Sequence, residues 1–287
     1  MSPRDTCVIG WPIGHSRSPL IHNYWLHRHS LPGTYSARAV PPAELAPFFA
    51  SFHDAGLLGC NVTVPHKEAT ARLLAIEDDL TARLQAVNTV FVRGQRLVGT
   101  NTDGYGFITN LGRSVPDLAL SGASVLVLGA GGSARAVVGA LMAAGVERID
   151  VTNRTRSRAE EIRRLFGDRL FDLDWNDRQA ALSRCDLLVN TTMLGMTGQP
   201  HLDLSLDGLP RHAVVADLVY VPLETDLLAG ARARGNRTAD GLGMLLYQAQ
   251  AAFRHWHGST PEVTAELRDL VVSDLAVSDL VGKRDLE

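Results

Sequence analysis

The sequence predicts an α/β fold with mostly parallel sheets, divided into two domains. Three observations carry this expectation. Apolar runs of strand length alternate with helical patterns along the chain, as in sheets whose strands are joined by crossover helices. A glycine-rich turn, Gly129-Ala130-Gly131-Gly132-Ser133-Ala134, directly follows one such run and opens a helix rich in Ala and Val, the arrangement of a nucleotide-binding unit. The length, 287 residues, favours two domains over one.

In the first half the pattern predicts strands at 6–9, 34–39 and 59–64, with helices at 20–29 and 43–55 between them. Ser18 is placed to cap a helix that takes Pro19 at its first position. Ser16 and Ser18 then put two hydroxyls at a helix N-terminus, a setting suited to a carboxylate. The third strand runs into Asn61-Val62-Thr63-Val64-Pro65-His66-Lys67. Proline lacks an N–H and biases Val64 toward extended geometry, so the strand stops there. Asn61 and Thr63 share one face, and Lys67 follows the break, opening a helix that ends near Leu74. Polar clusters end later apolar runs at Val87-Asn88-Thr89 and Gly99-Thr100-Asn101-Thr102-Asp103-Gly104; such loops commonly carry sites.

The second half predicts strands at 124–128, 148–152, 169–171, 186–190 and 213–217, a doubly wound sheet. The segment 240–257 spaces Leu242, Leu245, Leu246, Ala249, Ala252, Phe253 and Trp256 at steps of three and four, an amphipathic helix whose stripe needs a partner. A packing helix and a charged, frayed tail follow.

Composition excludes several classes. A formal net charge of -3 provides no global field for nucleic acid or an anionic membrane, so an anionic ligand must be held by local groups. Cys7, Cys60 and Cys185 are odd in number and far apart, which fits a reducing cytoplasm rather than a disulfide framework. The N-terminus, Met1-Ser2-Pro3-Arg4-Asp5, leads straight into a short apolar run with no signal-type segment, and no run is long enough to span a membrane. His15, His22, His27 and His29 are dense, but no metal-ligand spacing accompanies them, so no metal is expected.

The glycine-rich turn has the residues a pyrophosphate site requires. Gly129 permits the turn, Gly131 lets phosphate approach the backbone, and Ala134 lets helix pack on strand. An NAD site usually carries Asp or Glu at the end of its second strand. This chain has Asn153-Arg154-Thr155-Arg156-Ser157-Arg158 there, and guanidinium groups suit a 2′-phosphate, so NADP is preferred. Arg154 and Arg158 lie four apart if the next helix begins early. Ser157 and Glu160 have the spacing of a capping box, which is compatible with binding.

Taken together, seven stretches resemble the shikimate dehydrogenase family, in the family's order and over essentially the whole chain. They are 10–19 (Gly-Trp-Pro-Ile-Gly-His-Ser-Arg-Ser-Pro), 61–67, Ala86-Val87-Asn88-Thr89, Asn101-Thr102-Asp103-Gly104, 129–133, 153–158 and Asp240-Gly241-Leu242-Gly243-Met244. The resemblance implies an N-terminal α/β substrate-binding domain of 1–105 plus 241–287, its C-terminal helices returning to it, and a Rossmann-type NADP-binding domain of 106–240. Gly104 and Gly106 are then plausible hinge residues. Lys67 and Asp103 resemble the catalytic pair. Ser16, Ser18 and Tyr220 resemble contacts to the substrate carboxylate, and Thr63, Asn88, Asp103 and Gln248 contacts to its ring hydroxyls. Asp79, Gly129, Ala130, Gly131, Gly132, Ser133, Asn153, Arg154, Thr155, Arg158, Leu218 and Gly241 resemble cofactor contacts. Leu218 departs from a frequent methionine, and Asn190-Thr191-Thr192 from a more usual Asn-Ala-Thr.

The implied activity is NADP-dependent, reversible reduction of 3-dehydroshikimate to shikimate in aromatic amino-acid synthesis, by a cytoplasmic monomer or homodimer. Such a reduction needs a proton for the developing alkoxide, which Lys67 can supply. The nearest alternative is a relative using quinate or aminoshikimate. A non-catalytic NADP-binding sensor, from a different class, predicts loss of Lys67 and Asp103, which this chain keeps.

Overall fold

A computed structural model of the chain describes residues 5–284, with side-chain burial described through residue 276. The first four residues and the end of the expected charged tail lie outside the described residues. The chain forms two compact units, one from the residues up to Asp103 with Leu246–Val271, the other from Gly104–Leu245 with Val272 onward.

In order, the first unit contains β1 (Asp5–Gly10), α1 (Ser18–Arg28), β2 (Tyr35–Ala39), α2 (Leu45–Ala50), β3 (Leu57–Val62), α3 (Lys67–Leu73), β4 (Ala75–Ile76), α4 (Asp79–Leu84), β5 (Thr89–Arg93) and β6 (Arg96–Thr100). Its sheet runs β2-β1-β3-β5-β6-β4. The first three strands are parallel, whereas β5 is antiparallel to both β3 and β6. A tight turn at Gly94, φ 63°, joins β5 to β6, a backbone region glycine enters without steric cost. Side chains alternate across the sheet. Cys7, Ile9, Cys60, Val62 and Val90 pack with Leu45, Phe49 and Phe52 in one apolar cluster, while Tyr35 meets the aromatic residues of two helices, His22 and Trp256.

Two expected elements end early, and one helix start differs. The 43–55 helix is a 3₁₀ turn at Pro42–Glu44 followed by α2, which stops at Ala50; Ser51 bonds back to the Pro47 carbonyl at 3.2 Å and Gly56 takes φ +66°. The third strand ends at Val62, not Val64, and Thr63 and His66 close a turn at 2.9 Å. Ser18 is not the cap of α1: it is the first helical residue, with Arg17 at the N-cap position and no side-chain cap bond.

The second unit contains α5 (Asp103–Ser114, its first residue shared with the first unit), β7 (Ser124–Leu128), α6 (Gly132–Ala143), β8 (Arg148–Thr152), α7 (Arg156–Phe166), β9 (Leu170–Leu173), α8 (Arg178–Ala181), β10 (Leu187–Asn190), β11 (Val214–Asp217), α9 (Asp226–Ala233) and β12 (Arg237–Ala239). Strand order β12-β11-β10-β7-β8-β9 is parallel throughout, the doubly wound order whose reversal point lies between β7 and β10. The central strands β7, β10 and β11 are buried on both faces, which is why they read as near-continuous apolar runs.

The chain returns to the first unit within α10 (Gly241–His257), and α11 (Ala265–Arg284) follows. The division between the two compact units falls five residues into that helix, at Leu245/Leu246. Its first turn packs within the second unit: a side chain at Gly241 would strike the Leu218 carbonyl, and one at Gly243 would strike Asn110. Its last turns pack within the first, where the Trp256 indole donates to the Val90 carbonyl at 2.9 Å and Phe253 meets Trp25 edge-on at 5.6 Å. Burying side chains of this size contributes roughly 2–3 kcal/mol each. Gly104 and Gly106 lie inside α5, and Gly104 packs tightly, with the Ala136 carbonyl 3.1 Å from where its Cβ would be.

Candidate active site

Lys67 opens α3 and Asp103 opens α5, and their side chains meet at 2.5 Å, Nζ to Oδ2. Both are largely withdrawn from water, 12% and 6% exposed, where an ion pair is screened far less than at a surface. The Lys67 helix is pinned by two bonds, from the Val87 N–H to the Lys67 carbonyl at 2.9 Å and from the His66 ring to the Val40 carbonyl at 2.7 Å. Asp103 is held by Asn101, whose side chain accepts the Asp103 N–H at 2.9 Å, and by the Asn88 amide, which donates to Oδ1 at 2.7 Å. Asn88 is oriented in turn: its carbonyl accepts from the Thr102 N–H at 2.8 Å and from the Thr89 hydroxyl at 2.9 Å. Gln248 of α10 reaches the Asn88 amide at 3.4 Å.

Ser16 and Ser18 both sit at the N-terminal end of α1. The Ser16 hydroxyl accepts the Ser18 N–H at 3.3 Å. Ser18 is buried. Thr63 is half-buried just past β3, its N–H on the Ile9 carbonyl at 2.9 Å. Asp79 is exposed at the first position of α4, where Asp78 provides the cap by accepting the Thr81 N–H at 2.8 Å.

In the second unit the glycine-rich turn stands at the sheet's reversal point. Gly129 takes φ +104°, and a Cβ there would lie 2.6 Å from the Thr191 hydroxyl. Gly131 caps α6 with ordinary dihedrals, and a Cβ there would meet nothing within 4 Å. No side chain caps the helix, and the bare Gly131 leaves the approach to its first turn open, where a helix N-terminus favours an anion. Ala130 lies buried in the turn. These features fit a pyrophosphate.

After β8, Asn153 donates to the Thr155 carbonyl at 3.0 Å, and Arg158 reaches back to the Ala130 carbonyl at 3.5 Å. Helix α7 begins at Arg156, leaving Arg154 outside it and exposed. Arg154 and Arg158 are therefore not neighbours on one helical turn. Ser157 is no cap either: Thr155 holds that position without a side-chain bond, and Glu160 pairs with Arg156 at 3.5 Å. Among the described residues Arg156 also pairs with Asp172, and Arg154 makes no ion pair. Leu218 and Gly241 are in backbone contact, and Tyr220 is half-buried in the same loop as Leu218.

Sequence reasoning missed four residues that shape these sites. Tyr35, Asn61 and Thr89 are buried strand residues whose hydroxyl or amide bonds lead to Asn88. In the second unit Asp217, 1% exposed, accepts from Asn190 at 2.9 Å, the Val219 N–H at 3.0 Å and Thr225 at 2.8 Å, tying together the loops after β10 and β11. Burial pushes its carboxyl up to about 6. The available signal was a polar residue at the end of an otherwise apolar strand.

A parallel nucleotide unit and a buried lysine–carboxylate pair are the parts of a dinucleotide-dependent oxidoreductase. Family models agree: one described as shikimate dehydrogenase substrate binding domain matches residues 8–90, one described as shikimate / quinate 5-dehydrogenase matches 111–196, and one described as shikimate 5'-dehydrogenase C-terminal domain matches 241–265. The chain belongs to the shikimate dehydrogenase family. It is 56% identical over 274 residues to a shikimate dehydrogenase (NADP(+)) of Rhodopseudomonas palustris, covering 95% of this chain and 98% of the relative. Among solved structures, shikimate 5-dehydrogenase of Thermus thermophilus in complex with NADP(H) and shikimate is 35% identical, with TM-score 0.83 over 93% of this chain and 98% of that one. Quinate dehydrogenase of Corynebacterium glutamicum in complex with NAD is 30% identical, with TM-score 0.86 over 95% and 100%.

Proposed function

We propose that the protein is an NADP-dependent shikimate dehydrogenase, which reversibly reduces 3-dehydroshikimate to shikimate. The observation that carries this reading is the buried contact of Lys67 with Asp103 at 2.5 Å, beside the neutral polar groups of Asn88 and Gln248. Bound NADPH supplies hydride to the carbonyl carbon. Lys67 Nζ gives its proton to the carbonyl oxygen as charge develops there and takes it back in the oxidative direction. Asp103 holds the ammonium in place and carries a hydroxyl contact on the oxygen that faces Asn88.

The first unit is the substrate domain in this reading and the second the cofactor domain. Ser16, Ser18 and Tyr220 hold the substrate carboxylate; Thr63, Asn88, Asp103 and Gln248 bind ring hydroxyls. A site built from such groups rejects analogues that lack a hydroxyl, because its buried polar atoms are then left unpaired. Residues 129–133 hold the pyrophosphate, and Asn153, Arg154, Thr155 and Arg158 the 2′-phosphate. Leu218 and Gly241 line the nicotinamide side, and Asp79 is a further cofactor contact.

The test is the purified protein with shikimate or quinate against NADP or NAD, followed by nicotinamide absorbance. Shikimate with NADP is expected to turn over fastest. Faster turnover of quinate would move the assignment to the quinate-using relatives, and faster turnover with NAD would refute the role of Arg154. No turnover with any pairing would leave a non-catalytic NADP-binding sensor.

A further inference from the structure

Tyr35 lies 2% exposed on β2, away from every residue assigned a role above. Its ring is stacked on His22 at 4.2 Å between centroids and 6° between planes. Its backbone is clamped on both sides by Asn23, which accepts the Tyr35 N–H at 2.9 Å and donates to the Tyr35 carbonyl at 2.8 Å. Two neighbours of one helix, α1, thus fix the ring and the main chain, and the hydroxyl is delivered to one place.

That place is Asn61, beside Asn88 and Thr89. Burial raises the phenol well above its ordinary range, so it stays protonated and has one hydrogen to give. Asn61 takes it, Oη to Oδ1 at 2.6 Å. With its oxygen so engaged, Asn61 turns its amide to the Asn88 carbonyl and the Thr89 hydroxyl, both at 3.1 Å. Thr89, already accepting, gives its hydrogen to the Asn88 side-chain oxygen at 2.9 Å, and the Asn88 amide is left facing Asp103 at 2.7 Å.

We infer that Tyr35 is a positioning residue of the substrate site, its hydroxyl orienting Asn61 and, through Thr89, the Asn88 amide that faces Asp103. The inference rests on the substrate reading proposed above and deepens it. Donors along the chain all point one way, from Tyr35 through Asn61 and Thr89 to Asn88 and Asp103, so removing the phenol hydroxyl loosens the groups around Asp103 together. Buried networks of this kind specify one orientation for each amide and hydroxyl, which is what recognition of a polyhydroxylated carboxylate requires.

The test is Tyr35→Phe, which keeps the stack on His22 and the backbone clamp. In steady-state assays the variant is expected to raise KM for shikimate about fivefold or more, with KM for NADP within twofold of wild type. Asn61→Ala is made alone and in the Tyr35→Phe background, and if the two residues act through one chain their losses in kcat/KM combine to less than the product. A lowered Tm with KM for shikimate within twofold, or strictly multiplicative losses, would overturn the inference and leave Tyr35 as packing. Wild-type protein in the same assay separates the two readings: turnover of shikimate by wild type with an unchanged Tyr35→Phe sinks only the inference, whereas no shikimate turnover by wild type sinks the substrate reading and the inference with it.

Discussion

Lys67 and Asp103 are 36 positions apart in the chain and 2.5 Å apart in the fold, each the first residue of its own helix. Neither helix start places the other residue. The contact exists because the Val87 N–H bonds the Lys67 carbonyl and the Asn88 amide bonds Asp103, so one strand-edge segment carries both members.

Lys67→Ala removes the proton donor and is expected to lower kcat by roughly 10²–10⁴-fold, the range for loss of a general acid or base. Single-turnover measurement of shikimate oxidation checks it. A variant that keeps most of its kcat would refute the role.

The same pair sets a stability expectation. Asp103→Ala leaves the ammonium buried without its counter-charge and is expected to destabilise by about 3–5 kcal/mol. The double variant Lys67→Met with Asp103→Leu is expected to lose less than Asp103→Ala alone, since neither charge then remains. Urea unfolding of the three proteins measures the difference.

Gly129 and Gly131 should separate folding from binding. Gly129→Ala forces a side chain into φ +104° and against Thr191, so it is expected to lower stability by roughly 1–3 kcal/mol. Gly131→Ala has ordinary dihedrals and open space; its Tm should match wild type while KM for NADP rises about tenfold or more. Equal effects on stability from both would contradict the assigned roles.

Arg154→Ser combined with Asn153→Asp replaces a phosphate ligand by a ribose acceptor. The ratio of kcat/KM for NADP over NAD should fall by at least tenfold. An unchanged ratio would show that Arg154 does not read the 2′-phosphate.

Two buried groups give the fold opposite pH slopes. Burial lowers His22 to about 3, so the unfolded chain takes up the proton first; the stability it contributes is present above about 6.5 and is lost as pH falls toward 3, a total of roughly 5 kcal/mol. Burial raises Asp217 to about 6, so the folded chain holds the proton longer; its contribution is present below about 3.8 and lost as pH rises through 6, roughly 3 kcal/mol in total. His22→Phe should therefore weaken the loss of stability between pH 6.5 and 4.5, and Asp217→Asn should steepen it. Unfolding free energies at those two pH values in each variant provide the check.

The α/β class, the doubly wound second unit and the glycine-rich turn were legible in the sequence because their signals are local: apolar runs, Gly129 beside Gly131, and Pro65 ending a strand before Lys67. Local chemistry also marked Asn88, Asp103 and Gln248, though only as polar residues in a family pattern. Tertiary structure alone decided what these residues touch. The antiparallel insertion of β5 sets Asn61 opposite Thr89 and thereby creates the chain from Tyr35 to Asp103; a buried asparagine or threonine on a strand looks the same in sequence whether it meets a partner or not. Helix α7 begins at Arg156, beyond Arg154, where Arg156 meets Asp172, a residue distant in the chain whose position depends on the completed sheet.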